Sequence, residues 1–209
     1  MRDPALARVY VDYFNETHGM VRDTMRRFVN EAVKPHIDEW VEAGAFPREI
    51  YPQAGSLGLL SIGHPTEFGG SGEQDVFLKV AASEELMRSG SGGFVASLGS
   101  LDIGLPPVWR TGSDELKQRI VPQVLAGEKI IALAITEPSG GSDVANLKTR
   151  AVRDGNHYVV NGSKTFITSG ARADYYTVAV RTGEAGFGGV SLLLIEKGTP
   201  GFTVGRNLK

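Results

Sequence analysis

The stretch Ala132-Leu-Ala-Ile-Thr-Glu-Pro-Ser-Gly-Gly-Ser-Asp143 runs from apolar residues into a threonine, a glutamate, a proline and a set of small, hydroxyl-bearing residues. A Gly/Ser-rich turn after a strand can cradle a phosphate, present a nucleophilic serine, or only turn the chain. A Walker-type loop needs Gly, four residues, then Gly-Lys-Ser/Thr, so that backbone amides wrap the phosphates while the lysine reaches them. Gly162-Ser-Lys-Thr165 is one residue out of that pattern, and its Asn161-Gly162 reads as a hairpin turn. A nucleophile elbow needs Gly-x-Ser-x-Gly, and Ser142 has Gly140 before it but Val144 where the second glycine should stand. Neither Gly90 to Gly93 nor Gly186 to Gly189 carries the Gly-x-Gly-x-x-Gly of a Rossmann site. His18, His36, His64 and His157 are scattered without metal-binding spacing, so no metal site is expected and each reads as an ordinary surface or satisfied histidine.

What remains is a strand end, Leu133 to Thr136, then Pro138 to stiffen the turn and Ser139 to Gly141 to permit close backbone approach. Such a loop suits a flat ligand with a polar edge. On loop chemistry alone, the favoured reading is that Thr136, Ser142 and Asp143 only cap a turn or a short helix.

The 209 residues are 41% apolar and 22% charged, enough for one large domain or two modest ones. With 22 basic against 24 acidic residues, net charge is -2, and no run of like charge points to nucleic acid or a lipid surface. The absence of cysteine excludes disulfides, thiolate metal sites and cysteine nucleophiles, and fits a reducing compartment. The Met-Arg-Asp-Pro start has no signal-peptide core, and no window approaches the roughly 18 apolar residues of a membrane span. A soluble, cytoplasmic protein is expected.

From Tyr10 to about Trp40, Val21, Met25, Phe28, Val29, Ala32, Val33, Ile37 and Trp40 form one helical stripe, which Pro35 should kink or end. A second helix is expected from Gln74 to Met87, stopped by Ser89 to Gly93, with another break at Pro106-Pro107. A third runs from its N-cap Ser113 to a stop at Gly127, with a kink at Pro122. After Lys129 the period changes: Leu147 to Arg153, His157 to Val160 and Lys164 to Thr168 read as an antiparallel meander turning at Asp154-Gly155 and Asn161-Gly162. Strands are also expected at Tyr175 to Arg181 and Val190 to Glu196. The fold class is α+β: an N-terminal all-α bundle of four to six helices over 1–128, then an antiparallel β-barrel-like domain over 129–209. The chain stops at Phe202-Thr-Val-Gly-Arg-Asn-Leu-Lys209, part-way through what reads as another strand or turn, as either a natural terminus or a chain cut short can.

Ala134-Ile-Thr-Glu-Pro-Ser-Gly-Gly-Ser-Asp143, followed by Asn161-Gly-Ser-Lys-Thr-Phe-Ile-Thr-Ser-Gly170, resembles the acyl-CoA dehydrogenase family. Phe46-Pro, Leu57-Gly-Leu, Phe68-Gly-Gly70 and Gly112-Ser-Asp-Glu-Leu-Lys are similar too, so the resemblance covers essentially the whole chain but only the first two of the family's three domains. It implies an FAD oxidoreductase of fatty acid metabolism that removes two hydrogens across the α and β carbons of an acyl-CoA thioester, with electron-transfer flavoprotein as acceptor and a homotetramer when intact. By position, Leu133, Ile135, Thr136, Gly141 and Ser142 would lie against the flavin, and Phe166, Ile167 and Thr168 would cover its other edge. Thr136 and Thr168 would offer hydroxyls or amides to the ring's polar atoms, and Ser142 would also meet the thioester's pantetheine arm. Glu137 is structural in the family.

Phe166 stands where many relatives carry tryptophan, Ser139 where glycine is common, Leu133 where an aromatic often occurs, and Asn146 where a small residue is usual. The family's catalytic glutamate belongs to a C-terminal four-helix domain, so no catalytic residue is assigned and this portion alone is expected to be inactive. Two alternatives stand beside the dehydrogenase: an acyl-CoA oxidase or flavin monooxygenase of the same fold, and a non-catalytic two-domain binding module.

Overall fold

The computed structural model describes residues 13–72 and 75–205. These divide into two compact units, the first running up to Leu98 and including Leu125–Glu128, the second comprising Gly99–Val124 and the chain from Lys129. The Tyr10 start of the first expected helix, the Gln74 start of the second and the last residues from Arg206 lie outside the described residues.

The first unit is helical. Helix α1 (Glu16–Phe28) starts at an Asn15 cap whose side chain accepts from the His18 amide, while the His18 ring accepts from the Asn15 amide. Its apolar stripe is buried as the spacing predicts, at Met25, Phe28, Val29 and Val33. The helix widens to a π-turn over Val29–Val33, and Pro35, which cannot donate, ends it before α2 (Ile37–Ala43). Helix α3 (Ile50–Ser56) follows, and α4 (Val76–Leu86) is capped by Asp75, which accepts from the Phe77 amide. Gly90, in the left-handed region, closes the 3-10 turn that ends α4, before α5 (Gly92–Leu98). Among the described residues, ties from α1 to α4 include His18 Nε2 to Asp75 Oδ2 at 3.0 Å, an ion pair from Arg22 to Glu84, and a fork from Arg26 to Glu85 at 3.0 and 2.6 Å. His18 and His64 are buried, and His36 and His157 are exposed.

In the second unit, α6 (Leu101–Gly104), α7 (Pro106–Thr111) and α8 (Asp114–Leu125) accompany a five-stranded sheet. Ser113 caps α8 through the Leu116 amide as expected, and the helix passes Pro122 to end at Leu125. The strands are β1 (Ile131–Ala134), β2 (Arg150–Asp154), β3 (His157–Asn161), β4 (Tyr175–Arg181) and β5 (Val190–Glu196). Strand β4 is the hub, parallel to β1 from Ile131↔Tyr175 to Ala134↔Val178, antiparallel to β5 along its length, and bridged to β2 at Arg150↔Arg181.

The sheet is therefore mixed rather than antiparallel. After β1 the chain runs out through the β2–β3 hairpin, returns, and re-enters beside β1 in the same direction. Two strand expectations also change. Strand β2 begins at Arg150 rather than Leu147, because the Lys148 and Thr149 amides donate to the Glu137 carboxylate. Lys164 to Thr168 is not a strand: Phe166 has a φ of 58°, which breaks an extended run, and Thr165 is held by its amide to the Thr136 carbonyl.

Polar ties fix α6 to the sheet. Thr177 in β4 donates its hydroxyl to the Gly104 carbonyl at 2.7 Å, and Ser100 donates to the Ile131 carbonyl at 3.0 Å, both buried. A Cβ on Gly104 would lie 3.2 Å from the Ala132 carbonyl carbon, a tight contact that a larger residue could make only with a small shift of the helix or strand. Thr177→Val keeps the volume but strands the buried carbonyl, and should lower unfolding free energy by about 1–3 kcal/mol in urea titrations.

Candidate functional site

The site is built on the end of β1. Ile131, Ala132 and Ala134 are buried, so the strand is fixed, and the chain leaves it through half-buried Ile135 and Thr136. Glu137 and Gly140 then exchange backbone hydrogen bonds of 2.9 and 3.0 Å, closing a turn in which Pro138 supplies a preset φ. Gly141 folds back under Thr136, where an added Cβ would sit 3.0 Å from both Thr136 Cγ2 and Oγ1.

Glu137 holds this turn to the rest of the unit. Its side chain is 3% exposed, and its oxygens accept from the Lys148 amide at 2.7 Å, the Thr149 amide at 2.8 Å and Lys164 Nζ at 2.8 Å. Burial alone would push its carboxyl up, but the Lys164 ammonium and the two amides outweigh that and hold it at about 2. Lys164, itself 10% exposed, also donates to the Ile135 carbonyl at 2.8 Å, and the Thr165 amide donates to the Thr136 carbonyl at 2.9 Å. One ion pair and two further hydrogen bonds thus lay residues 164–165 alongside 135–137. A Cβ at Gly162 would overlap the buried Thr149 side chain, so that return path also depends on glycine.

Phe166 emerges from this junction with a positive φ and 69% of its surface exposed. A bulky residue held in the left-handed region carries a backbone cost, and here its ring is also left largely in solvent. Ile167 is half-buried, and Thr168 is exposed in the turn that leads to Ser169, whose φ is 61°. Among the described residues, none hydrogen-bonds the hydroxyl of Thr136, Ser142 or Thr168. Phe166 thus presents a largely exposed ring, and the hydroxyls of Thr136, Ser142 and Thr168 are unengaged among the described residues.

Of the eight residues singled out in the sequence, Leu133 lies within β1 and Ile135 and Thr136 just beyond it. Gly141 is packed on Thr136, and Phe166 follows directly from the Lys164–Thr165 junction. Ser142 is exposed beyond Gly141 and shares no hydrogen bond with the rest, and Ile167 and Thr168 continue outward from Phe166. Sequence reasoning missed Lys164 as the partner of Glu137. The available signal was a lone cation between the hydroxyls of Ser163 and Thr165, and a carboxylate between Thr136 and Pro138 at the end of an apolar run.

Breaking a buried ion pair strands the partner charge, so Glu137→Gln should cost about 3 kcal/mol at pH 7. Because the folded carboxyl sits at about 2 against an ordinary 4.5, its contribution is complete above pH 4.5 and is lost as pH falls through 2. Urea unfolding at a series of pH values should show a steeper acid decline in the parent than in the variant. Parallel curves would contradict this assignment.

Residues 15–128 match the family model for the acyl-CoA dehydrogenase N-terminal domain, and residues 132–209 match that for the acyl-CoA dehydrogenase middle domain. The long-chain specific acyl-CoA dehydrogenase, mitochondrial, of Sus scrofa is 39% identical over 198 residues, covering 93% of this chain and 46% of that protein. An acyl-CoA dehydrogenase structure from Geobacillus kaustophilus superposes with a TM-score of 0.87 at 39% identity, covering 94% of this chain and 52% of that one. One from Bacillus anthracis, complexed with FAD, gives 0.85 at 33% identity, covering 95% and 34%. The chain spans about half the length of the curated relatives it matches. It belongs to the acyl-CoA dehydrogenase family.

Proposed function

We propose that this chain supplies the N-terminal and middle domains, residues 1–128 and 129–209, of an FAD-dependent acyl-CoA dehydrogenase. The two family-model matches, which meet between 128 and 132, support the division. The observation that carries the flavin assignment is the wall at the end of β1, with its outward Phe166 and the unengaged hydroxyls of Thr136, Ser142 and Thr168. That donor set fits a flat heteroaromatic ring with a polar edge, and a relative is solved with FAD bound.

When bound, FAD would accept the hydride from the β carbon of the acyl thioester, the α proton going to a base that none of the residues assigned here supplies. The chain's residues divide the remaining work. Thr136 and Thr168 donate to the ring's polar edge and stabilise negative charge that accumulates there. Leu133, Ile135 and Ile167 give apolar contact, and Phe166 packs on the ring and excludes water. Gly141 lets the backbone come close, and Ser142 donates at the point where the ring and the thioester's pantetheine arm meet. Glu137 takes no part in proton transfer: a carboxylate saturated by three donors and held at about 2 is a poor base near neutrality.

The same reading includes electron-transfer flavoprotein as electron acceptor, a homotetramer, a role in fatty acid metabolism and a cytoplasmic location. Among the described residues, no helix is long and apolar enough to cross a membrane.

The full-length protein should purify yellow. Thr168→Ala should weaken FAD by about tenfold or shift its visible absorption, consistent with loss of one hydrogen bond to a developing charge. Unchanged affinity together with an unchanged spectrum would count against the assignment.

A further inference from the structure

Arg181, the last residue of β4, stands outside the stretches proposed to face the flavin. Its guanidinium makes four hydrogen bonds, all to backbone carbonyls. Nε donates to Leu147 at 3.1 Å and Nη2 to Ala145 at 2.5 Å. Nη1 donates to Glu184 at 2.7 Å and to Gly186 at 3.2 Å. The first two acceptors belong to the 3-10 turn Val144–Asn146 and the residue after it, directly beyond Ser142 and Asp143. The other two belong to the loop between β4 and β5. One planar cation thus joins two loops that the sequence separates by more than thirty residues.

The second loop is built around this contact. The Thr182 and Gly183 amides both donate to the Gly189 carbonyl, and the Thr182 and Ser191 hydroxyls meet at 2.6 Å. A Cβ on Gly189 would overlap the Glu184 carbonyl and stand 2.9 Å from Arg181 Nη1, so glycine there keeps the loop closed on the guanidinium. The Arg181 amide itself donates to the Thr149 carbonyl at 2.7 Å, and Thr149 is one of the residues bonded to Glu137. The exit of the first loop is therefore held twice, by Arg181 through Ala145 and Leu147 and by Glu137 through Lys148 and Thr149. Lysine could not replace this fork, because a single ammonium cannot reach four carbonyls in different directions.

We infer that Arg181 is a positioning residue for the thioester arm, fixing the exit of the Ser142 loop by clamping it to the 182–189 loop, so that the two loops respond as one unit to ligand. The inference rests on the proposed role of Ser142. Arg181 acts through backbone carbonyls and touches neither reacting atoms nor flavin.

The test uses the flavin-loaded full-length protein with Arg181→Lys and, separately, Gly189→Ala, which displaces the second loop without altering β4. Amide hydrogen exchange should quicken at 144–147 and 183–189 together in each variant, with β1 and β4 unchanged. KM for an acyl-CoA should rise about tenfold while kcat and the flavin absorption maxima hold, since the lost order concerns binding of the arm. Unchanged exchange in both loops would overturn the clamp. Faster exchange with an unchanged KM would overturn its role in positioning the arm. Failure of the parent to bind any acyl-CoA thioester would instead overturn the functional reading, and the exchange measurement would still decide the clamp.

Discussion

The buried pair of Glu137 and Lys164 is the constraint on which the candidate site depends. Neither charge is stable alone at such low exposure, and each needs more than the other: Glu137 takes two backbone amides, and Lys164 takes a backbone carbonyl. Satisfying both therefore fixes three stretches of backbone at once, around 135–137, at 148–149 and at 164–165, where the Thr165 amide to the Thr136 carbonyl adds a further tie at the foot of Phe166. The same demand explains why β2 starts late and why residues 164–168 leave the sheet. Amides that would have extended a ladder are spent on a carboxylate, and the return segment is pinned across the strand end instead of beside a neighbour.

Strand β4 carries that arrangement into the rest of its unit. Its side chains are buried from Tyr175 to Val180, and it pairs with β1, β2 and β5. Thr177 ties it to α6, Tyr176 donates to the Gly170 and Ala173 carbonyls, and Arg181 ends it with a clamp on two loops. Rigid strand ends followed by loops held through side-chain-to-backbone bonds place ligand-facing groups more precisely than free loops could. At this end Phe166, Ser142 and Thr168 are exposed and Thr136 is half-buried, and none of the three hydroxyls has a hydrogen-bond partner among the described residues.

The sequence was most readable where a local rule operates. The stripe Met25, Phe28, Val29, Val33 needed only helical spacing, Ser113 only its place before an acidic first turn, and the β2–β3 hairpin only Asp154-Gly155. Strands β4 and β5 fell where apolar, β-branched runs predicted them. The misreadings share one cause, in that long-range partners overrode local propensity. Leu147 to Thr149 and Lys164 to Thr168 have strand-like composition, but Glu137 claims the amides of one and the ammonium of the other. Strand direction likewise could not come from composition, since β1 is parallel to β4 only because of what the intervening residues do. At the site, the loop 132–143 and the stretch 161–170 were legible by resemblance, whereas the bond between Lys164 and Glu137 that joins them was not.

The central claim is that this ion pair organises a flavin-binding wall rather than merely stabilising the sheet. It is tested most directly by measuring FAD affinity in the full-length protein carrying Lys164→Met, at a temperature where circular dichroism shows parent and variant equally folded. The account predicts that the dissociation constant rises by about tenfold or more, because residues 135–137 and 164–168 lose their mutual register. An unchanged dissociation constant in the folded variant would contradict it.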